Sequence, residues 1–295
     1  MVVIQTQNGA SWYAFFYMLS FLIVFILLLI SGKHKSYPML PWLLTIIAGS
    51  LFFIAGTKLF SFHSSDWKLL FSEGILQEST RKSAIGGVLL GMVGILLAQR
   101  WLRLSDFVLD IYAIILPIGL AIQKAGCLLA GCCFGIPTEV PWGIRYAEGS
   151  IVHFHHVVTG LNTISSTASL PVHPVPVYEI IAYLAITFII LISGRYFQKR
   201  GAKFMLAIVL FCLFRWGIEF LRDPATTLTL AEVLWGMKIL QWVLLLTAIL
   251  FGTLLILLPG IRTHTAASQR IRMIGHWRNL SFLMLLSFLI WLARD

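Results

Sequence analysis

Eight stretches of this 295-residue chain are apolar for long enough to cross a membrane as helices, and that pattern removes most alternatives for its fold. They run over about 12–31, 41–60, 84–100, 106–124, 177–194, 203–221, 233–258 and 279–293. A hydrocarbon layer offers the backbone no hydrogen-bond partner, so a spanning segment must satisfy its own amides, as a helix does. With 59% apolar and 12% charged residues, too little polar chain is left for a separate soluble domain. The expected fold class is therefore an all-α polytopic membrane protein of seven to eight transmembrane helices, a single membrane domain over 1–295. The first run has no basic flank before it and no small-residue cleavage pattern after it, and reads as a retained span. The last run is short enough to lie along the surface instead.

Basic residues set the orientation. Lys33 and Lys35 follow the first span, Arg100 and Arg103 the third, Arg195, Lys199, Arg200 and Lys203 the fifth, and Arg262, Arg270, Arg272 and Arg278 the seventh. The alternate loops mix signs, with Asp66, Glu73 and Arg81 in one and Glu139, Arg145 and Glu148 in another. By the positive-inside rule both termini lie outside. The net charge of +10 is then a product of topology, needs no nucleic-acid partner, and has anionic lipid headgroups as its counter-charge. Two outer segments stand out: an amphipathic stretch over 66–82 and a long loop over 124–176 between the fourth and fifth spans.

Against this background, Lys124, Glu179, Arg215, Glu219 and Arg222 all fall at the outer ends of their spans. Arg215 and Glu219 are four apart and Arg222 lies seven beyond Arg215, which puts the three on one helical face. Ion pairs that merely tie helices together are one reading. Five ionisable groups at one depth favour the other, a polar cavity open to the outside whose cationic rim suits a phospholipid headgroup. Gly119 near the end of the fourth span, with Gly126, Gly131 and Gly135 in the loop, would let bare amides approach that headgroup, as in a re-entrant segment.

At these residues the chain resembles the bacterial prolipoprotein diacylglyceryl transferase family. The signature Arg-Ile-Gly-Asn-Phe-x-Asn-Gly-Glu-x-x-Gly aligns on Lys124 to Gly135, with Gly126, Gly131 and Gly135 matched, Lys124 in place of arginine, Cys127 of asparagine and Cys132 of glutamate. Pro141-Trp142-Gly143 matches a Pro-Trp-Gly block, and His173, Pro174, Tyr178 and Glu179 complete His-Pro-x-x-x-Tyr-Glu. Arg215, Glu219, Arg222 and Pro224 complete Arg-x-x-x-Glu-x-x-Arg-x-Pro, with Phe211 where a tyrosine is usual. The third span departs most: the family's Ser-Phe-His-Gly-Gly is here Ala84-Ile85 before Gly86-Gly87, so the histidine thought to activate the acceptor thiol is replaced by Ile85.

The resemblance implies a multi-pass protein of the bacterial inner membrane, its site on the periplasmic side. It implies transfer of the diacylglyceryl group of phosphatidylglycerol to the thiol of a lipoprotein precursor or another thiol acceptor, without a metal or cofactor. Arg215, Glu219, Glu179 and His173 are the expected catalytic residues. Lys124, Gly126, Gly135, Tyr178, Arg222, Cys127 and Cys132 are the expected substrate contacts. The alternative is a non-catalytic phospholipid-binding protein, which Ile85, Phe211 and Lys124 favour. For His173, a general base and a hydrogen bond that fixes the loop both remain open.

Cys127, Cys132 and Cys133 show no zinc-type spacing and admit three readings: packing against glycines, a disulfide, or a reactive thiol with Lys124 beside it. His153, His155 and His156 read as a solvated loop cluster rather than as metal ligands. Ser105, Asp106 and Asp110 read as a cap and dipole partners at the inner end of the fourth span. Lys238 either snorkels outward or joins the cationic rim.

Overall fold

The computed structural model describes residues 2–6, 9–60, 72, 84–104, 107–193, 196, 200–226 and 232–257, the side chains of Ala84 and Ile85 excepted. The expected span at 279–293, the segment 66–82 apart from Ser72, and the cap at Ser105 and Asp106 lie outside the described residues.

The long helices are α1 (Gly9–His34), α2 (Met39–Leu59), α3 (Ala84–Trp101), α4 (Leu109–Ala130), α6 (Val175–Ser193), α7 (Ala202–Ile218) and α8 (Ile239–Leu257), with a short α5 (Ile151–Val158) between α4 and α6. Six are long and apolar enough to cross a membrane, α7 together with the 3-10 turn that follows it; α3 contributes a shorter apolar stretch, Gly86–Trp101. Large apolar side chains such as Phe15, Met18, Leu22, Leu51, Phe188 and Leu246 point outward, as lipid-facing positions require. The protein is a multi-pass, all-α membrane protein.

Where lipid surrounds the helices, burial of apolar area no longer drives association, and close backbone approach does. Between α2 and α3 it is glycine that permits this: a Cβ at Gly56 would overlap the Gly86 carbonyl, and one at Gly91 would press on Phe53. Between α1 and α4, Gly119 receives Val24 and Ser20, and Gly126 receives Tyr13 and Phe16. Ser20 Oγ donates to the Gly119 carbonyl at 2.7 Å. The smallness of Gly119 and Gly126 is thus accounted for by helix packing. On the far side of α4, Thr187 of α6 donates to Ile114 O, and Tyr183, Ile186 and Ile190 fill the space toward α7.

Asp110 does more than sit in the first turn of α4. Its two carboxylate oxygens accept from Gly201 N at 2.7 Å and Phe204 N at 2.9 Å, so it caps the N-terminus of α7 across the interface.

Helix α4 continues six residues beyond the 106–124 run, to Ala130, which places Lys124, Gly126 and Cys127 in its last turns rather than in a loop. It stops at Gly131, whose left-handed backbone (φ 68°) aims its amide, and that of Cys132, back at the final carbonyls. The chain beyond forms a small cap. In it β1 (Val3–Ile4) pairs in parallel with β2 (Arg145–Tyr146), and Phe134, Tyr146, Val152 and Val172 make a core.

Helix α5 corrects the reading of the histidines as a solvated loop. Ser150 caps it by accepting from His153 N, and the amphipathic run Ile151–Val158 turns His153 and His156 inward. His153 Nε2 meets Ser166, and His156 Nδ1 accepts from Leu170 N at 3.2 Å. Burial, then the neighbouring His155, pushes the His156 pKa down, which keeps the ring neutral and able to accept.

Candidate active site

Four helix ends meet below this cap. Lys124 comes from the end of α4 and Glu179 from the start of α6. Arg215 comes from the last turn of α7, and Lys238 from the hairpin of β3 (Val233–Leu234) and β4 (Met237–Lys238) that leads into α8. After Ile218 the helix tightens into a 3-10 turn, Glu219–Leu221, and Arg222 then adopts extended backbone. That change of pitch swings the Arg222 guanidinium over the same carboxylates that Arg215 reaches from about two turns earlier.

The result is one connected network. Glu179 receives Lys124 Nζ at 2.7 Å on one oxygen, and Arg215 Nη1 and Arg222 Nη2, each at 2.7 Å, on the other. Glu219 receives Arg215 Nη2 at 2.8 Å, Lys238 Nζ at 3.0 Å and Arg222 Nε at 3.4 Å. Glu179, Glu219 and Arg222 are 1–3% exposed, whereas the side chains of Lys124, Arg215 and Lys238 keep 12–19%. The buried members form the centre of the network and the partly exposed cations lie around them. Burial works against the charge of Arg222, but Glu179, with Cys133 and Glu219, overcomes it and raises its pKa.

Among the described residues, four cations of this network face two carboxylates. Asp223 is engaged elsewhere: it accepts from Ala225 N and lies 4.0 Å from His155 Nε2. The excess of two positive charges in a buried setting is the electrostatic signature of an anion site.

The five residues singled out by charge alone thus converge. Lys238 completes their set, and its signal in the sequence was an isolated lysine at the start of an apolar run. Tyr178 Oη accepts from Trp142 Nε1 at 2.8 Å and lies 3.2 Å from His173 Nδ1, so the Pro-Trp-Gly and His-Pro-x-x-x-Tyr-Glu blocks meet at the rim. Burial pushes the His173 pKa down, leaving the ring neutral at neutral pH. Gly135 lies where three segments cross: a Cβ there would meet Leu221 O at 2.5 Å and His173 O at 2.8 Å. Its amide donates to His173 O, so here too the backbone approaches other backbone.

On the α4 side, Cys127, Cys132 and Cys133 gather with their sulfurs within 4.8 Å of one another, and Lys124 Nζ lies 4.0 Å from Cys133 Sγ. Hydrogen bonds from the Cys127 and Cys132 thiols, with Lys124 and Arg222 nearby, hold the Cys133 thiol well below the usual range, and Cys132 is pushed up in return. Phe211 stacks on Tyr183 of α6 at 6.0 Å and 6°. Tyr183 interacts electrostatically with Glu179 and Lys124, so a phenol borders the network although position 211 lacks one. Ile85 lies in the first turn of α3.

Such a site can hold an anionic headgroup, stabilise negative charge that grows on a departing phosphate, and present a neutral imidazole at its edge. The family model for prolipoprotein diacylglyceryl transferase matches residues 2–258. Similar curated proteins include the phosphatidylglycerol–prolipoprotein diacylglyceryl transferases of Clostridium tetani (28% identity over 47% of this chain and 51% of that protein) and Geobacter sulfurreducens (31% over 48% and 49%). That of Shewanella oneidensis is 25% identical over 86% of this chain and 89% of its own. The chain thus spans about half the length of the first two relatives in these matches. With the matched region taking in every member of the charged network, the chain belongs to the prolipoprotein diacylglyceryl transferase family.

Proposed function

We propose that this protein transfers the diacylglyceryl group of phosphatidylglycerol to the thiol of a lipoprotein precursor, at a site facing the periplasmic side of the bacterial inner membrane with both termini on that side. The observation that carries the reading is the buried network in which Lys124, Arg215, Arg222 and Lys238 outnumber Glu179 and Glu219. The opposite end of the bundle carries Arg100, Arg103 and Arg200 around an open pocket of about 640 Å³, the charge expected of a cytoplasmic face.

In the reaction, the acceptor sulfur attacks the glycerol carbon that bears the phosphate. The S–C bond forms, the C–O bond breaks with its electron pair going to the phosphate, and glycerol phosphate leaves with one more negative charge than the bound diester carried. The surplus of two cationic charges suits that leaving group better than the ground state, which is what catalysis requires. Arg215 and Arg222 hold the phosphate, with Glu179 and Glu219 fixing their planes, and Lys124 and Lys238 complete the field. The thiol proton passes to His173: when its Nδ1–H is donated to Tyr178 Oη, Nε2 presents a lone pair, and its lowered pKa keeps that lone pair available. No resident cofactor enters this scheme. Cys127 and Cys132 shape the α4 side of the wall beside the headgroup, whereas Gly126 and Gly135 serve the packing of helix and backbone.

The test is release of glycerol phosphate from phosphatidylglycerol by the purified protein with a thiol peptide carrying a lipobox. Turnover is expected, and Glu219→Gln should abolish it while co-purified lipid is retained. Absence of turnover in the parent protein with every thiol peptide tried would leave a binder instead.

A further inference from the structure

The cysteines sit where the fold spends strain to bring them together. Cys127 is on the last full turn of α4, and Gly131 (φ 68°) reverses the chain. Cys133 itself takes a left-handed backbone (φ 59°), a conformation costing a residue with a side chain about 1 kcal/mol or more. Cys132 N returns to Cys127 O at 3.1 Å, and all three sulfurs fall within 4.8 Å of one another. Metal–thiolate bonds of about 2.3 Å in a trigonal arrangement space the sulfurs by about 4 Å, within reach of small side-chain rotations.

We propose that Cys127, Cys132 and Cys133 form a three-coordinate thiolate site for a soft, singly charged metal cation, monovalent copper being the ion that fits best. Sulfur ligands select copper(I) and zinc among common ions. Zinc in structural sites takes four ligands, and among the described residues no fourth Cys, His, Asp or Glu atom joins the cluster. Lys124 Nζ stands 4.0 Å from Cys133 Sγ and Arg222 interacts with the same sulfur. Cations at that distance oppose added positive charge, which favours an ion bringing one charge over an ion bringing two. Three thiolates with one copper(I) carry two negative charges, opposite in sign to the surplus of the neighbouring network. The site does not depend on the lipid reaction for its argument or its test.

The experiment titrates the full chain in detergent, reduced and under argon, with copper(I) supplied as its bicinchoninate complex. One copper per chain should be withdrawn from the chelator, with thiolate-to-copper charge-transfer absorption. Replacing all three cysteines by serine should remove the uptake, and zinc in a parallel arm should bind at least about tenfold more weakly, a difference of about 1.4 kcal/mol. X-ray absorption of the loaded wild-type protein, which needs no variant to fold, should show three sulfur neighbours. The proposal is overturned by any of these: no copper uptake while all three thiols titrate as reduced, uptake that persists in the triple serine variant, nitrogen or oxygen neighbours at the copper, or zinc binding as tight as copper.

Discussion

The two sides of the charged network differ in how far they keep the charges of the motifs read in the sequence, although both contact Glu179. The α7 wall, with Arg215, Glu219 and Arg222, retains every charge of the family pattern; the α4 wall retains one cation, Lys124, and has sulfur at Cys127 and Cys132. The difference follows from how many partners each residue serves. On the α7 wall every charge has at least two opposite partners, so a single change strands a buried ion at a cost of about 3–5 kcal/mol. On the α4 wall only Lys124 is tied into the network, and the residues one and two turns beyond it can change without leaving a charge unpaired.

The strongest way to break that comparison is Glu179→Gln, which removes the anion shared by Lys124, Arg215 and Arg222. We expect destabilisation of about 3–5 kcal/mol, read as a large fall in the thermal midpoint of the detergent-solubilised protein. A midpoint within error of the parent would refute the shared-anion argument. Lys238→Met should leave the protein folded but lower transfer by about 10²-fold, since it removes one preorganised cation from the leaving-group side. Lipid binding should fall much less. His173→Gln should cost about 10²-fold in rate with little effect on lipid retention, and the acid limb of the parent's pH profile should lie below about 6.5, the ordinary histidine value. The sign follows from the lowered pKa: the neutral base persists as pH falls and is lost only when pH passes the depressed value. A variant that keeps full rate would assign His173 to holding the loop. Tyr183→Phe sharpens the comparison most gently. If the phenol beside Phe211 and Glu179 stands in for the one position 211 lacks, the rate should fall about tenfold, whereas a purely packing ring would leave it unchanged.

Charge in an apolar chain is conspicuous, which is why Lys124, Glu179, Arg215, Glu219 and Arg222 could be read as one site from sequence. The spans were legible for the same reason, since lipid forces long uninterrupted runs. What escaped was what depends on local backbone geometry. Gly126 and Gly131 made the end of α4 look like a loop, yet only Gly131 breaks the helix, and Gly126 is there for α1. The three sulfurs meet through two left-handed residues that no spacing rule encodes. Sequence leaves Lys238 between snorkelling outward and joining the cationic rim, and it is a hairpin that turns it inward; Asp110 reads as a partner of its own helix, yet its carboxylate lies on Gly201 and Phe204. The histidines of α5 resembled a polar loop because three rings in four residues masked an amphipathic turn with Ser150 as its cap.

The crossing at Gly135 has a mechanical consequence. Gly135 N bonds to His173 O, His173 N to Ile136 O, Ile136 N to Leu221 O, and Asp223 N to Phe134 O. Main-chain bonds of this kind tie the imidazole-bearing segment to the guanidinium-bearing one, so a load placed on the first is shared by the second.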